Sequence, residues 1–200
     1  MDDPNQPEFW NSRYEKGETP WDFGGAPAAL KAFLKAKPKG GRVLIPGCGA
    51  GHEIGLFAAA GYDVTAIDFA PAAVARARQA AGPALADRVL QGDFFQHEFA
   101  PASFDLIYER TFLCALVPGR RTAYRDRVAQ LLKHGAALVG FFYYQNTVTG
   151  PPFGFAWSES DELFGRHFLL TKDIPVKDSV GVFAGRERWQ EQRRTAFGAS

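Results

Sequence analysis

Three clusters of residues in this sequence have the type and spacing for ligand chemistry. Gly47, Gly49 and Gly51 follow the apolar run at the start of "RVLIPGCGAGHEIGL". A glycine turn between a strand and a helix lets backbone N–H groups come close to a ligand. Asp68 closes the next apolar run, "YDVTAID", at the spacing where an acid holds both hydroxyls of a ribose. Asp93 and Phe94, in "GDFF" after a third run, set a carboxylate beside an aromatic face. That pair suits the amino group and ring of adenine.

The glycine pattern narrows the ligand. A dinucleotide fingerprint reads GxGxxG, and its third glycine lets the helix pack close to the strand. Here that place is held by His52. The turn offers amides without the usual pyrophosphate-binding helix start. The three clusters describe an adenosine-bearing ligand with no pyrophosphate, and S-adenosylmethionine fits that description. Its sulfonium charge is cancelled as a methyl group moves to a thiolate, leaving S-adenosylhomocysteine. A dry apolar site and in-line positioning favour such a reaction without a strong acid or base. Trp10, Tyr14, Trp21, Phe94 and Phe153 could wall the site, and aromatic faces attract cations. Trp10 and Trp21 could equally pin an N-terminal arm to the core.

Arg110 follows Glu109 at the end of "FDLIYER". Its guanidinium could favour an acceptor's thiolate or hold an anionic acceptor, and it is the candidate catalytic residue. The plainer alternative is an ion pair with Glu109 or Asp68. His52, His97, His134 and His167 have no metal-ligand spacing, so no metal is expected and surface or capping roles are. Cys48, inside the glycine turn, reads as a small packed residue. GxSxG, P-loop and HExxH patterns are absent. Two other functions stay open: a nicotinamide-dependent oxidoreductase, against which His52 counts, and a protein that binds S-adenosylmethionine without turnover.

These residues need a scaffold. A chain of 200 residues, 46% hydrophobic, suits one α/β domain spanning 1–200, with 1–26 as an aromatic arm. Its net charge of +1 argues for no nucleic-acid or membrane partner, and its partner is then a small-molecule acceptor. Cys48 and Cys114 fit no disulfide framework; with no secretion signal and no membrane span, a cytoplasmic protein is expected. Strands are expected at "RVLIP", "YDVTAID", "DRVLQGDFF", "FDLIYERTFL" and "AALVGFFYY". Helices are expected at "APAALKAFLKAKPKGG", "HEIGLFAAAG", "APAAVARARQAAG", "PGRRTAYRDRVAQLLKHG" and "SESDELFGRH". "FLLTKDIPV" and "VGVFAGRERWQEQRR" would add an antiparallel hairpin. Alternating strands and helices give a mostly parallel sheet covered on both faces, with ligands at the C-terminal strand edge.

"VLIPGCGAGHE" resembles the glycine loop of class I S-adenosylmethionine-dependent methyltransferases, and "PGCG" the thiopurine S-methyltransferase-like branch, which includes halide and thiol methyltransferases. "FWNSRYEKGETPWDFG", "FDLIYERTFLCAL" and "GPPF" extend the likeness from about Phe9 to about Trp189. The resemblance implies a seven-stranded Rossmann-like fold, a monomer, and methyl transfer to a small soft nucleophile: a thiol or thiopurine sulfur, or a halide. It also implies cofactor contacts at Trp10, Tyr14, Trp21, Gly47, Asp68, Asp93, Phe94 and Arg110. Arginine at position 110 is similar to the thiopurine enzymes, whereas "TPWD" is similar to the halide and thiol enzymes. The acceptor stays open between them.

Overall fold

The computed structural model describes residues 3–36, 40–146 and 149–196. Continuous apolar runs give its central strands two buried faces. The strands are β1 (Arg42–Pro46), β2 (Asp63–Asp68), β3 (Val89–Gln91), β4 (Phe104–Arg110), β5 (Leu132–Tyr143), β6 (Phe168–Pro175) and β7 (Glu187–Arg194). They form one seven-stranded sheet in the order β3-β2-β1-β4-β5-β7-β6. β1 through β5 run parallel, while β7 pairs antiparallel with both β5 and β6. The helices are α1 (Pro7–Lys16), α2 (Ala28–Ala36), α3 (Ile54–Ala59), α4 (Pro71–Ala81), α5 (Arg121–Leu131) and α6 (Glu159–Phe164).

Side chains two apart along a strand share a face. Val43, Ile45, Leu106 and Tyr108 therefore pack with α2, α3 and α4 through Leu30, Phe33, Ile54, Phe57 and Val74. Leu44, Ile107 and Leu138 turn the other way, onto Tyr124 and Val128 of α5 and Phe164 of α6. The chain leaves β1 towards β2 and β3, then returns to place β4 on the other flank of β1. The strand order reverses there, and ligands bind at such a crevice.

The expected elements are present with several boundaries moved: the third strand, expected over 87–95, spans only Val89–Gln91, and the part of the expected α2 helix at 37–39 lies outside the described residues. The helix expected through Gly135 stops at Leu131. Leu132 turns extended (φ −75°, ψ 139°) and pairs with Phe104, so β5 starts earlier than its apolar run suggested. The polar residues Lys133 and His134 then fall within a register shift, where β4 advances from Phe104 to Leu106 while β5 advances from Leu132 to Ala137. β4 stops at Arg110 because Thr111 has a left-handed backbone (φ 61°) and the chain folds into a short turn at Leu113–Ala115. The last strand starts at Glu187 rather than near Val180; Gly181–Phe183 is a 3-10 turn instead. No helix among the described residues is long and apolar enough to cross a membrane.

Gly140 lies inside β5, opposite Glu109 of β4. A Cβ built there would come 1.9 Å from the Glu109 carbonyl oxygen, at a φ of 149°. Only glycine lets these strands approach. Gly140→Ala is expected to cost about 3 kcal/mol and lower Tm by roughly 6–12 °C in thermal unfolding. An unchanged Tm would mean that β4 and β5 separate freely.

Candidate active site

The glycine turn bends sharply at the end of β1. Gly47 and Gly49 have φ of 57° and 53°. A Cβ on Gly47 would strike the Phe112 ring at 2.4 Å, and one on Gly49 the Tyr14 hydroxyl at 2.5 Å. Both glycines are thus demanded by backbone shape and by close neighbours.

Asp68 ends β2 beside this turn and is 9% exposed. The Gly49 N–H donates to its Oδ2 (2.9 Å) and the Ala70 N–H to its Oδ1 (3.0 Å). Burial pushes its carboxyl above the ordinary carboxylate range, and the Ala70 and Gly49 amides pull it back. The Gly92 N–H donates to the Asp68 carbonyl (2.9 Å), tying the end of β3 to the end of β2. Asp93 comes next. Its Oδ1 accepts from the Phe95 N–H at 2.8 Å, an Asx turn. Phe94 is 3% exposed and packs edge-on against Phe95 and Phe112. Its ring lines the site while also serving the core.

The arm folds over these strand ends. Gly17 ends α1 in a left-handed conformation (φ 72°), and the Glu18 N–H closes the turn on the Arg13 carbonyl at 2.9 Å. Asn11 Oδ1 accepts from the Ala72 N–H (2.7 Å) at the start of α4, and the Arg76 guanidinium donates to the Tyr14 carbonyl. Trp21 sits edge-on to Trp10 (5.3 Å between ring centroids) and to Tyr14 (6.0 Å). Burial, and secondarily the Asp68 charge, pushes the Tyr14 hydroxyl up. Trp10 and Trp21 therefore anchor the arm and also wall the site.

Together these pieces enclose a cavity of about 460 Å³ lined by Trp10, Tyr14, Trp21, Gly47, Asp68, Asp93 and Phe94. An apolar stretch of the lining, termed its far wall, is Cys114, Ala115, Leu116, Pro151, Pro152 and Phe183; Arg13, Glu18 and Arg120 also line the cavity. Phe153, expected among the walls, does not line it. The Phe153 N–H donates to the Cys114 carbonyl (2.6 Å), and its ring folds back over Gly150, leaving the prolines before it to face the cavity.

Arg110 is placed differently from the sequence expectation. It lines a smaller chamber of about 50 Å³ behind the glycine turn, with Glu53, His52, Asp22 and Thr111. That chamber shares Tyr14, Trp21, Gly47 and Thr111 with the large cavity, whose lining does not include Arg110. Arg110 Nη1 donates to Glu187 Oε1 at 2.6 Å, with the two side chains 10% and 2% exposed. Its guanidinium also lies 4.4 Å from the Phe141 ring centroid. The ion-pair partner is Glu187 of β7, not Glu109 or Asp68. Burial pushes both the Glu187 and Glu53 carboxyls up, and Arg110 opposes this in each.

Sequence reasoning missed the residue that shapes the far wall. Glu109 is fully buried. Its Oε1 accepts from the Phe112 and Leu113 amides (2.8 and 2.9 Å), and its Oε2 from the Tyr124 hydroxyl (2.5 Å). It holds the turn after β4 against α5. Its only sequence signal was an acid in an otherwise apolar strand end. Phe112, which packs on Gly47, carried no signal at all. Among the described residues, no group of three or more His, Cys, Asp or Glu could hold a metal ion.

An acid at the end of β2, an Asx turn after β3 and a glycine turn between β1 and α3, all facing one cavity, fit S-adenosylmethionine. The fold agrees. A solved 1,6-didemethyltoxoflavin-N1-methyltransferase of Burkholderia thailandensis, bound to S-adenosylhomocysteine, superposes with a TM-score of 0.75 at 21% identity, covering 94% of this chain and 87% of its own. The fold is that of the class I S-adenosylmethionine-dependent methyltransferases. The family model for thiopurine S-methyltransferase matches residues 5–195, and the chain belongs to that family. A probable thiol methyltransferase 2 of Arabidopsis thaliana is 32% identical over 191 residues, spanning 91% of this chain and 84% of its own. A thiocyanate methyltransferase 1 of Brassica oleracea is 30% identical over 194 residues, with the same shares. The nicotinamide reading gives way to this membership.

Burial pushes the Glu109 carboxyl up to about 7, against the pull of Tyr124, Leu113 and Phe112. The unfolded group titrates near ~4.3. The raised value favours the native state fully below that pH, and the contribution is lost as pH rises through about 7. Glu109→Gln keeps an acceptor for the amides and does not titrate. Its Tm relative to wild type should therefore rise between about pH 4.3 and pH 7 and level off above, read by thermal unfolding across pH. Glu109→Ala strands three donors and should cost roughly 3 kcal/mol, about 1 kcal/mol for each. A pH-independent Tm difference for the Gln variant would place the titration elsewhere.

Proposed function

We propose that this enzyme transfers a methyl group from S-adenosylmethionine to a small soft nucleophile, a thiol or thiopurine sulfur or a halide-like anion. The observation that carries this reading is the far wall of the cavity. Arg13, Glu18 and Arg120 also line the cavity, but the stretch formed by Cys114, Ala115, Leu116, Pro151, Pro152 and Phe183 presents apolar surface with no carboxylate, imidazole or amine. The one titratable group there, the Cys114 thiol, is pushed up by burial and then by the Glu109 and Glu187 charges, so it stays protonated and is not available to take a proton. An acceptor on this wall finds nothing to take its proton. It must arrive ionised or ionise readily, as soft sulfur and halide nucleophiles do.

The bound cofactor supplies an electrophilic methyl group on a sulfonium sulfur. Asp68 accepts hydrogen bonds from the ribose hydroxyls, and Asp93 with Phe94 receives the adenine. Gly47 lets the backbone approach. The smaller chamber, with the Arg110 guanidinium beside the Glu53 carboxyl, suits the charged amino-acid tail. Arg110 thus acts on the cofactor side, and Glu187 holds its guanidinium in place. Trp10, Tyr14 and Trp21 close the site against water, which strengthens the electrostatics inside. The relatives named for thiol and thiocyanate methylation support the same acceptor class.

The direct test is methyl transfer from labelled cofactor to a panel of thiols, thiopurines, halides, thiocyanate and phenols. Turnover is expected with the soft sulfur or halide members and absent with phenols; turnover of phenols alone would overturn the acceptor class. Asp68→Ala should weaken S-adenosylmethionine binding more than tenfold by calorimetry, since each lost hydrogen bond to the charged carboxylate is worth about 1.5–3 kcal/mol. Arg110→Met should weaken cofactor binding and lower kcat/KM equally at all pH values. A loss that recovers at high pH with one thiol would instead put Arg110 on the acceptor.

A further inference from the structure

His52 stands where a dinucleotide fold places its third glycine, and its side chain does not turn into the large cavity. Its Nε2 lies 2.7 Å from Asp22 Oδ1, with the side chains 30% and 21% exposed. Asp22 belongs to the arm, one residue after Trp21, in "TPWD". The same Oδ1 also accepts from the Gly24 N–H at 2.8 Å, so the carboxylate orders its own loop while reaching the glycine turn. His52 and Asp22 both line the smaller chamber with Trp21, Glu53 and Arg110.

Few side-chain polar contacts fasten the arm to the sheet edge. The N-terminal half is held by Asn11 on the Ala72 amide and by Arg76 on the Tyr14 carbonyl, both from α4. The segment carrying Trp21 is beyond their reach. Beyond the turns within its own loop, its side-chain polar contacts among the described residues are the Trp21 Nε1–H to the Tyr14 hydroxyl, a long 3.4 Å, and His52–Asp22, with the Phe23 ring centroid 5.8 Å from the Arg110 guanidinium. The His52 pair alone runs from this segment to the glycine turn among these contacts. The groups facing His52 are Asp22 from the arm, Glu53 from its own turn and Arg110 from β4.

From this placement we infer that His52 and Asp22 are a pair of positioning residues that couple the glycine turn to arm closure. They hold Trp21 over the reacting centre once the cofactor has set the turn. The inference rests on the cofactor reading above. An ordered glycine turn presents His52 to Asp22, and a docked Asp22 braces the turn; by linkage each stabilises the other. Breaking the pair leaves the pieces folded and frees the lid. Cofactor and product then leave faster, and the methyl group is less well shielded from water.

The test is a double-mutant cycle with His52→Ala, Asp22→Ala and both, read by S-adenosylhomocysteine affinity and dissociation rate in the full chain. Each single variant should bind about 5–30-fold more weakly, the range of one charge-assisted hydrogen bond discounted for partial exposure. The double variant should be no worse than either single. Amide exchange from Thr19 to Gly25 in the bound state should quicken in both. The swapped pair, Asp22→His with His52→Asp, should recover part of the affinity. Additive losses, no rescue, or a fall in Tm with affinity unchanged would overturn the pairing. If the wild-type chain itself fails to bind S-adenosylhomocysteine, the cofactor reading falls first. If the wild type binds and the variants match it, only the coupling falls.

Discussion

A parallel strand that ends at a sheet edge leaves amides of the following turn without partners. Buried amides must be paired. In this protein three acids meet that demand along one edge. Asp68 takes Gly49 and Ala70, Asp93 takes Phe95, and Glu109 takes Phe112 and Leu113. The acids that stop the strands are also the acids that shape the cavity. Asp68 and Asp93 keep acceptor capacity for a ligand, since an ionised carboxylate has about four lone-pair sites. Glu109 is spent on structure, with both oxygens engaged and no exposure. Its position one strand further along makes it the rigid partner of the other two.

The remaining walls come from segments that fold back onto that edge. The arm brings Trp10, Tyr14 and Trp21, and the loop at Gly150–Pro152 brings two prolines. Arg121 pins that loop by donating to the Gly154 carbonyl at 2.6 Å, which links it to the start of α5. Glu109 holds the turn after β4, and Arg121 holds the loop that meets this turn through the Phe153 N–H and the Cys114 carbonyl. Chemistry that needs in-line geometry gains from such bracing, because small misplacements are costly.

Much of this was legible in the sequence where cause and effect are local. The glycine spacing, the acid closing "YDVTAID" and the Asp-Phe pair each announce a turn within a few residues, and the model puts all three in one cavity. The unbroken apolar runs "VLI" and "LIY" announced strands buried on both faces. Long-range pairing was not legible. Glu187 meets Arg110 only because β7 enters beside β5 in an antiparallel register that brings Tyr143 opposite Glu187. No pattern around "GRERW" points across 77 residues. His52 and Asp22 were each visible as polar residues, but their meeting depends on how the arm drapes. The early start of β5 was hidden because Leu131 and Leu132 continue a helical pattern while serving opposite sides of the boundary. Phe153 misled for a related reason: its aromatic character suited a wall, but the two prolines before it set which way the chain faces.

The thiol of Cys114 lies in the wall of the cavity, and it is itself a soft nucleophile. Sulfur attacks as thiolate. Burial, with the Glu109 and Glu187 charges behind it, keeps this sulfur protonated. Cys48, in the glycine turn, is pushed up in the same way by burial and by Asp68. Burial first, and those carboxylates second, hold both thiols in the less reactive protonated form beside a site that receives an electrophilic methyl group.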